Sequence, residues 1–169
     1  QLEFPAYFSS LHSRYSKVLL IAQSIGAYFS LVSLSEMPIE KAMIISPIVD
    51  MEKMILAMME RAGVTKDELH ARSEIKTPSG ERLSWAYLTF ARDHPITWDI
   101  PTSILYAEND AITSLDAITD FARTTSSELT VMPDGEHWFH TEDQMRFLDD
   151  WTRSIPASIP RPAARRARL

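Results

Sequence analysis

Residues 17–28, Lys17-Val18-Leu19-Leu20-Ile21-Ala22-Gln23-Ser24-Ile25-Gly26-Ala27-Tyr28, constrain the fold more than any other stretch of the chain. The run 18–21 is apolar and branched with no polar alternation, the pattern of a parallel strand covered on both faces. After Ser24 the sequence resumes at 27–34 as a segment apolar nearly all round, which predicts a buried helix. Passing from strand to helix so quickly requires a sharp turn. Ala22 and Gly26, both small, stand two positions either side of Ser24. Parallel strands need crossover connections, so one strand-turn-helix unit implies others in the same chain.

Further units are present. Residues 41–46 form a second short apolar run closed by Pro47, residues 102–107 a third announced by Ile100-Pro101, and residues 129–133 a fourth. Helical signals separate them. Tyr7, Phe8, Leu11 and Tyr15 make an amphipathic stripe over 5–16. Ser114 is placed to cap a helix reaching about Thr125, and Thr141 with Gln144 has capping-box spacing before a helix that aligns Met145, Leu148 and Trp151. The alternation predicts an α/β fold with a mainly parallel sheet of about four strands and flanking helices.

Residues 50–98 break the alternation and read as helices without strands. Met51, Met54, Ile55, Met58, Met59 and Ala62 share one broad face, and Gly63 marks a helix stop. Thr65 and Glu68 have capping-box spacing, Thr77-Pro78-Ser79-Gly80 is a turn, and 83–91 is a further helix. This block is expected to be a helical lid insertion over one end of the sheet. Four of the eight methionines fall in 51–59; core filling is the expected role, with an acyl-pocket lining as the alternative.

With 169 residues and 45% hydrophobic content the chain is long enough for one domain, expected over 1–155. Residues 156–169 lack periodicity, are rich in proline and arginine, and are expected to be a disordered basic tail. Up to Asp150, 12 basic residues face 23 acidic ones, a balance of −11, while five arginines follow. An acidic body argues against nucleic acid as a partner. The absence of cysteine excludes disulfides, thiolate metal ligands and a cysteine nucleophile. No apolar run approaches the roughly 20 residues of a membrane span, and no basic-then-apolar leader is seen, so a cytoplasmic chain is expected.

Three strand ends carry Ser24, the polar cluster Glu108-Asn109-Asp110, and His137, which follows the turn Asp134-Gly135-Glu136. Carboxyl ends of strands are where open α/β sheets keep their sites. A serine hydroxyl becomes an effective nucleophile when an imidazole takes its proton, and the imidazole needs a carboxylate to fix its tautomer. Each residue has a plainer reading. Ser24 could cap a helix; Glu108 is an adjacent rival acid and Asp116 a possible cap of the next helix. His140 with Glu142 hints at a metal pair but lacks a further ligand, and His12, His70 and His94 read as surface or helix-end residues.

The segments AQSIG at 22–26, IPTSILYAEND at 100–110 and GEHWFHTEDQMRFLDDW at 135–151 resemble the α/β-hydrolase superfamily of serine hydrolases, with alanine at the first glycine of the nucleophile elbow. The likeness covers residues 5–155 and is greatest to uncharacterised bacterial members with a short helical lid. It implies Ser24, Asp110 and His137 as the catalytic residues and the Ile25 backbone N–H as an oxyanion donor. The implied substrate is a small-molecule carboxylic ester or thioester, and no metal or organic cofactor is needed. One departure stands out: the family has several strands before the elbow, one of whose loops supplies a second oxyanion donor, and here only a helix precedes it. The expectation is therefore a carboxyl-terminal portion of the fold, with an exposed edge at the elbow strand and impaired activity. The alternative is a non-catalytic scaffold that binds a ligand or partner through the lid.

Overall fold

The computed structural model describes residues 3–155. Four strands, β1 (Leu19–Gln23), β2 (Lys41–Ile45), β5 (Thr102–Ala107) and β6 (Glu128–Met132), form a parallel sheet in the order β1-β2-β5-β6. All three strand pairs are parallel, so the sheet is more uniform than expected. Around it lie α1 (Glu3–His12), α2 (Ser24–Ser33), α6 (Leu115–Thr124) and α7 (Glu142–Ser154).

Alternation along the strands sorts their side chains between two layers. Leu20, Ala42 and Ile44 pack with Ala27 and Leu31 of α2 and with its C-cap Leu34, and Ile104 and Tyr106 pack with Ile118 and Ala122 of α6. On the opposite face Met43, Ile45, Leu105 and Ala107 pack with Phe139 and with Trp151 of α7. Every residue of β2 and β5 is buried, including Lys41, Thr102 and Ser103 at their starts, and beyond these both read as continuous apolar runs. The edge strand β1 differs. Leu19 and Ile21 lie in register with Lys41 and Met43, on the face that α7 covers elsewhere, yet they are 42% and 55% exposed.

The insertion corrects one expectation. α3 (Met51–Arg61), α4 (Lys66–Arg72) and α5 (Trp85–Asp93) are helical, but β3 (Glu74–Lys76) and β4 (Arg82–Ser84) pair as an antiparallel hairpin around the Thr77–Gly80 turn. Each strand has one buried apolar residue, Ile75 and Leu83, flanked by polar ones, so the hairpin is held by a single inward pair. Leu83 is therefore a strand residue, and α5 starts two residues later, capped by Ser84 accepting from the Tyr87 N–H. The expected caps at Thr65, Ser114 and Thr141 all form. Gly63 takes a left-handed φ of 66° just beyond α3, as its stop requires.

α1 is a second correction. It ends at His12, short of Ser16, and of its four-residue stripe Phe8 packs against the core while Tyr7 is 62% and Tyr15 59% exposed. No helix among the described residues is long and apolar enough to cross a membrane. The expected tail at 156–169 lies outside the described residues.

Candidate active site

Ser24 opens α2 directly from the end of β1 and has φ of 52°, a left-handed conformation that costs a non-glycine residue on the order of 1–2 kcal/mol. Its place as a helix cap is excluded by the geometry: the N-cap is Gln23, and no side chain caps this helix. The strain turns the hydroxyl to a point where His137 reaches it. The Ser24 hydroxyl donates to His137 Nε2 at 2.8 Å, and His137 Nδ1 lies 2.7 Å from Asp110 Oδ2. With Asp110 ionised, the proton resides on Nδ1, which leaves Nε2 free to accept.

Ser24 follows β1 directly as the first residue of α2, and Asp110 and His137 lie in the loops after β5 and β6, all three at the carboxyl end of the sheet. Ser24 and His137 are 8% and 5% exposed, and the Asp110 side chain is fully covered. Burial alone would raise the Asp110 carboxyl. Hydrogen bonds from His137 and from the Ile112 and Thr113 N–H groups, with the nearby imidazole charge, outweigh it and hold the group below its ordinary value of 3.8. The carboxylate thus stays ionised at neutral pH.

The rival acids do other work. Glu108 accepts a hydrogen bond from the Asp134 N–H, and the Asn109 N–H donates to Gly135 O, so the acid loop is tied to the turn that carries His137. Asp116 lies in the first turn of α6, whose cap is Ser114. His140 is paired at its Nδ1 with Glu136 at 3.3 Å, and among the described residues no three His, Asp or Glu side chains form a metal-binding group.

Two features carried no sequence signal. A Cβ at Gly135 would stand 3.1 Å from Met132 O and 3.2 Å from the Met132 side chain, so this glycine permits a close approach of backbone below His137. Gly26, by contrast, has open space where a Cβ would be, and nothing described demands its smallness. The other feature is Trp138, 66% exposed with its ring centroid 4.9 Å from that of His137, which the helical spacing of later residues does not announce.

Ile25 is the first residue after the serine in α2, and the first N–H groups of a helix have no intrahelical acceptor. The arrangement holds a hydroxyl, a base oriented to take its proton, and a free backbone donor beside them. Tyrosines are not competing bases. Burial, with Tyr28 close by, pushes the Tyr87 hydroxyl up to about 12, and both phenols are buried without a hydrogen-bond partner.

No protein-family model matches the chain, and no curated protein matches it. Solved structures do. Mouse alpha/beta hydrolase domain-containing protein 10 is similar at 17% identity and a TM-score of 0.71, over 92% of this chain and 68% of that one. A candidate hydrolase from Agrobacterium vitis S4 is similar at 16% identity and 0.68, over 85% of this chain and 62% of that one. Est1E from Butyrivibrio proteoclasticus is similar at 14% identity and 0.63, over 86% and 66%. The chain therefore spans about two thirds or less of the first two bacterial proteins' length. Element order, sheet order and these likenesses agree that the chain is built on part of an α/β-hydrolase fold.

Proposed function

We propose that the chain carries the catalytic centre of a serine hydrolase that cleaves a carboxylic ester or thioester through an acyl-enzyme. The observation that carries this reading is the unbroken Ser24–His137–Asp110 hydrogen-bond relay, at 2.8 and 2.7 Å. In the forward step Ser24 Oγ attacks the acyl carbon as its proton passes to His137 Nε2. Asp110 holds the imidazole in place and stabilises the imidazolium. The carbonyl oxygen gains negative charge and accepts from the Ile25 N–H. The imidazolium then gives its proton to the departing alcohol or thiol, leaving the acyl group on Ser24. Water, deprotonated by the same imidazole, releases the acid and restores the serine.

We further propose that this chain alone turns over slowly. Among the described residues Ile25 is the one oxyanion donor this reading assigns, and the loss of one such donor typically costs about 100- to 1,000-fold in rate. The limited span relative to solved hydrolases supports this reading. Fluorophosphonate labelling tests the nucleophile. Labelling of the chain that disappears in Ser24→Ala supports the reading; labelling that survives in Ser24→Ala, or none at all even with an amino-terminally extended chain, points to the non-catalytic scaffold. Equal ester turnover by this chain and an extended one would overturn the proposed impairment.

A further inference from the structure

Between α3 and the loop that follows β5 lies a cleft of about 420 Å³. It lies beside the candidate site: Asp110, whose side chain is covered, forms part of its wall, and so does Ile48, whose N–H donates to Ser24 O at 3.3 Å, while Ser24 and His137 themselves do not line it. A larger hollow along α7, about 590 Å³, touches none of Ser24, Asp110 or His137.

The cleft has an uneven lining. Lys53, Ala57 and Arg61 recur every four residues along α3 and so share one helix face, with Met54 and Met58 beside them and Ile112 on the acid loop. Eight residues of helix carry the two cations about 12 Å apart. Charges of both signs line the cleft, but they are not equally free. The Asp50 carboxylate accepts from the Lys53 N–H as the cap of α3, and both oxygens of Asp110 are engaged by His137, Ile112 and Thr113. Neither Lys53 nor Arg61 makes a close ion pair with any described residue, although the Arg61 charge also acts on the Glu81 carboxylate, which lies outside the cleft lining. What remains for a ligand is a cationic row beside flexible thioethers and an aliphatic wall. Methionine adapts to varied apolar shapes, and cations without a close carboxylate partner favour an anionic group.

We propose that this cleft binds an anionic group on an apolar stem, so that, resting on the serine-hydrolase reading, the preferred esters bear a carboxylate on the acyl or leaving group. Calorimetric binding of octanoate and of 1-octanol to the intact chain at low salt tests it, because the two share a stem and differ in charge. The expected result is octanoate bound at least tenfold tighter, that ratio lost in Lys53→Gln/Arg61→Gln, and kept in Lys53→Arg/Arg61→Lys. Equal affinities, no measurable octanoate binding at millimolar concentration, or a ratio unchanged in the glutamine variant would each overturn it. Both side chains are exposed, so the variants are expected to fold. Fluorophosphonate labelling, of the same samples and of an amino-terminally extended chain, separates the two readings: octanoate preference with no labelling of either chain sinks the hydrolase and leaves the cleft, and labelling without preference does the reverse.

Discussion

The two sides of the sheet are finished differently. Over β2 and β5 both faces are closed by helices, and the loops that follow β5 and β6 are bonded to each other before they present Asp110 and His137. Over β1 one face is open, with Leu19 and Ile21 in solvent, and this strand alone presents Ser24. The relay nevertheless closes at hydrogen-bond distance. Positioning a nucleophile therefore asks less of the fold than sealing the strand behind it: the Ser24 turn is held by its own helix and by the Ile48 N–H, and needs no cover on the far face.

The largest expected effect tests the shared product of both sides. Ser24→Ala or His137→Ala should cut any esterase turnover by roughly 10⁴- to 10⁶-fold, the scale seen when such a nucleophile or base is removed, and abolish fluorophosphonate labelling. Mass spectrometry of the labelled chain decides it. Stability should then separate the sides. Leu105→Ala, at a fully buried position of β5, should cost about 2–5 kcal/mol in denaturant melts, whereas Ile21→Ala on the open face should stay within about 0.5 kcal/mol. Equal losses at the two positions would mean that the open face is covered in solution.

Gly135→Ala should fall between these, at about 1–3 kcal/mol, because its Cβ must displace Met132 backbone or side chain beneath the His137 turn. Below it comes Thr65→Ala, about 1 kcal/mol for the α4 cap that accepts from Glu68 N–H. The smallest is a tilt with pH. Asp110 is held below 3.8 in the folded chain, so its contribution to stability is fully present above that value and is lost as pH falls through the lower folded value. Asp110→Asn should flatten the acid limb of a stability-pH curve on its own account; an unchanged limb would place the acid sensitivity elsewhere.

Much of this was readable without coordinates, and the reasons are physical. Strands buried on both faces announce themselves as unbroken apolar runs, and caps announce helices, so β2, β5 and the starts of α4, α6 and α7 were legible. The grouping of Ser24, Asp110 and His137 was legible because each follows such a run at the same end of a parallel sheet. The β3–β4 hairpin was not. Three residues per strand are too few for alternation to show, and Leu83 lends itself equally to the helix that follows. The exposure of Tyr7 and Tyr15 was illegible because a stripe predicts a buried face without saying what buries it. Gly135 carries no sequence sign of its packing, because the need for a hydrogen there is set by Met132, and Lys53 and Arg61 carry none of theirs, because a cationic row acquires meaning only beside a cleft.

The bond between Ser24 and His137 joins residues 113 apart in sequence. Contacts of such separation carry a high loop-closure cost and tend to form late, after local helices and neighbouring strands. On the proposed reading, covalent capture of Ser24 is thus a clock for folding as well as a test of chemistry: during refolding, helical dichroism should recover first and capture of the serine last.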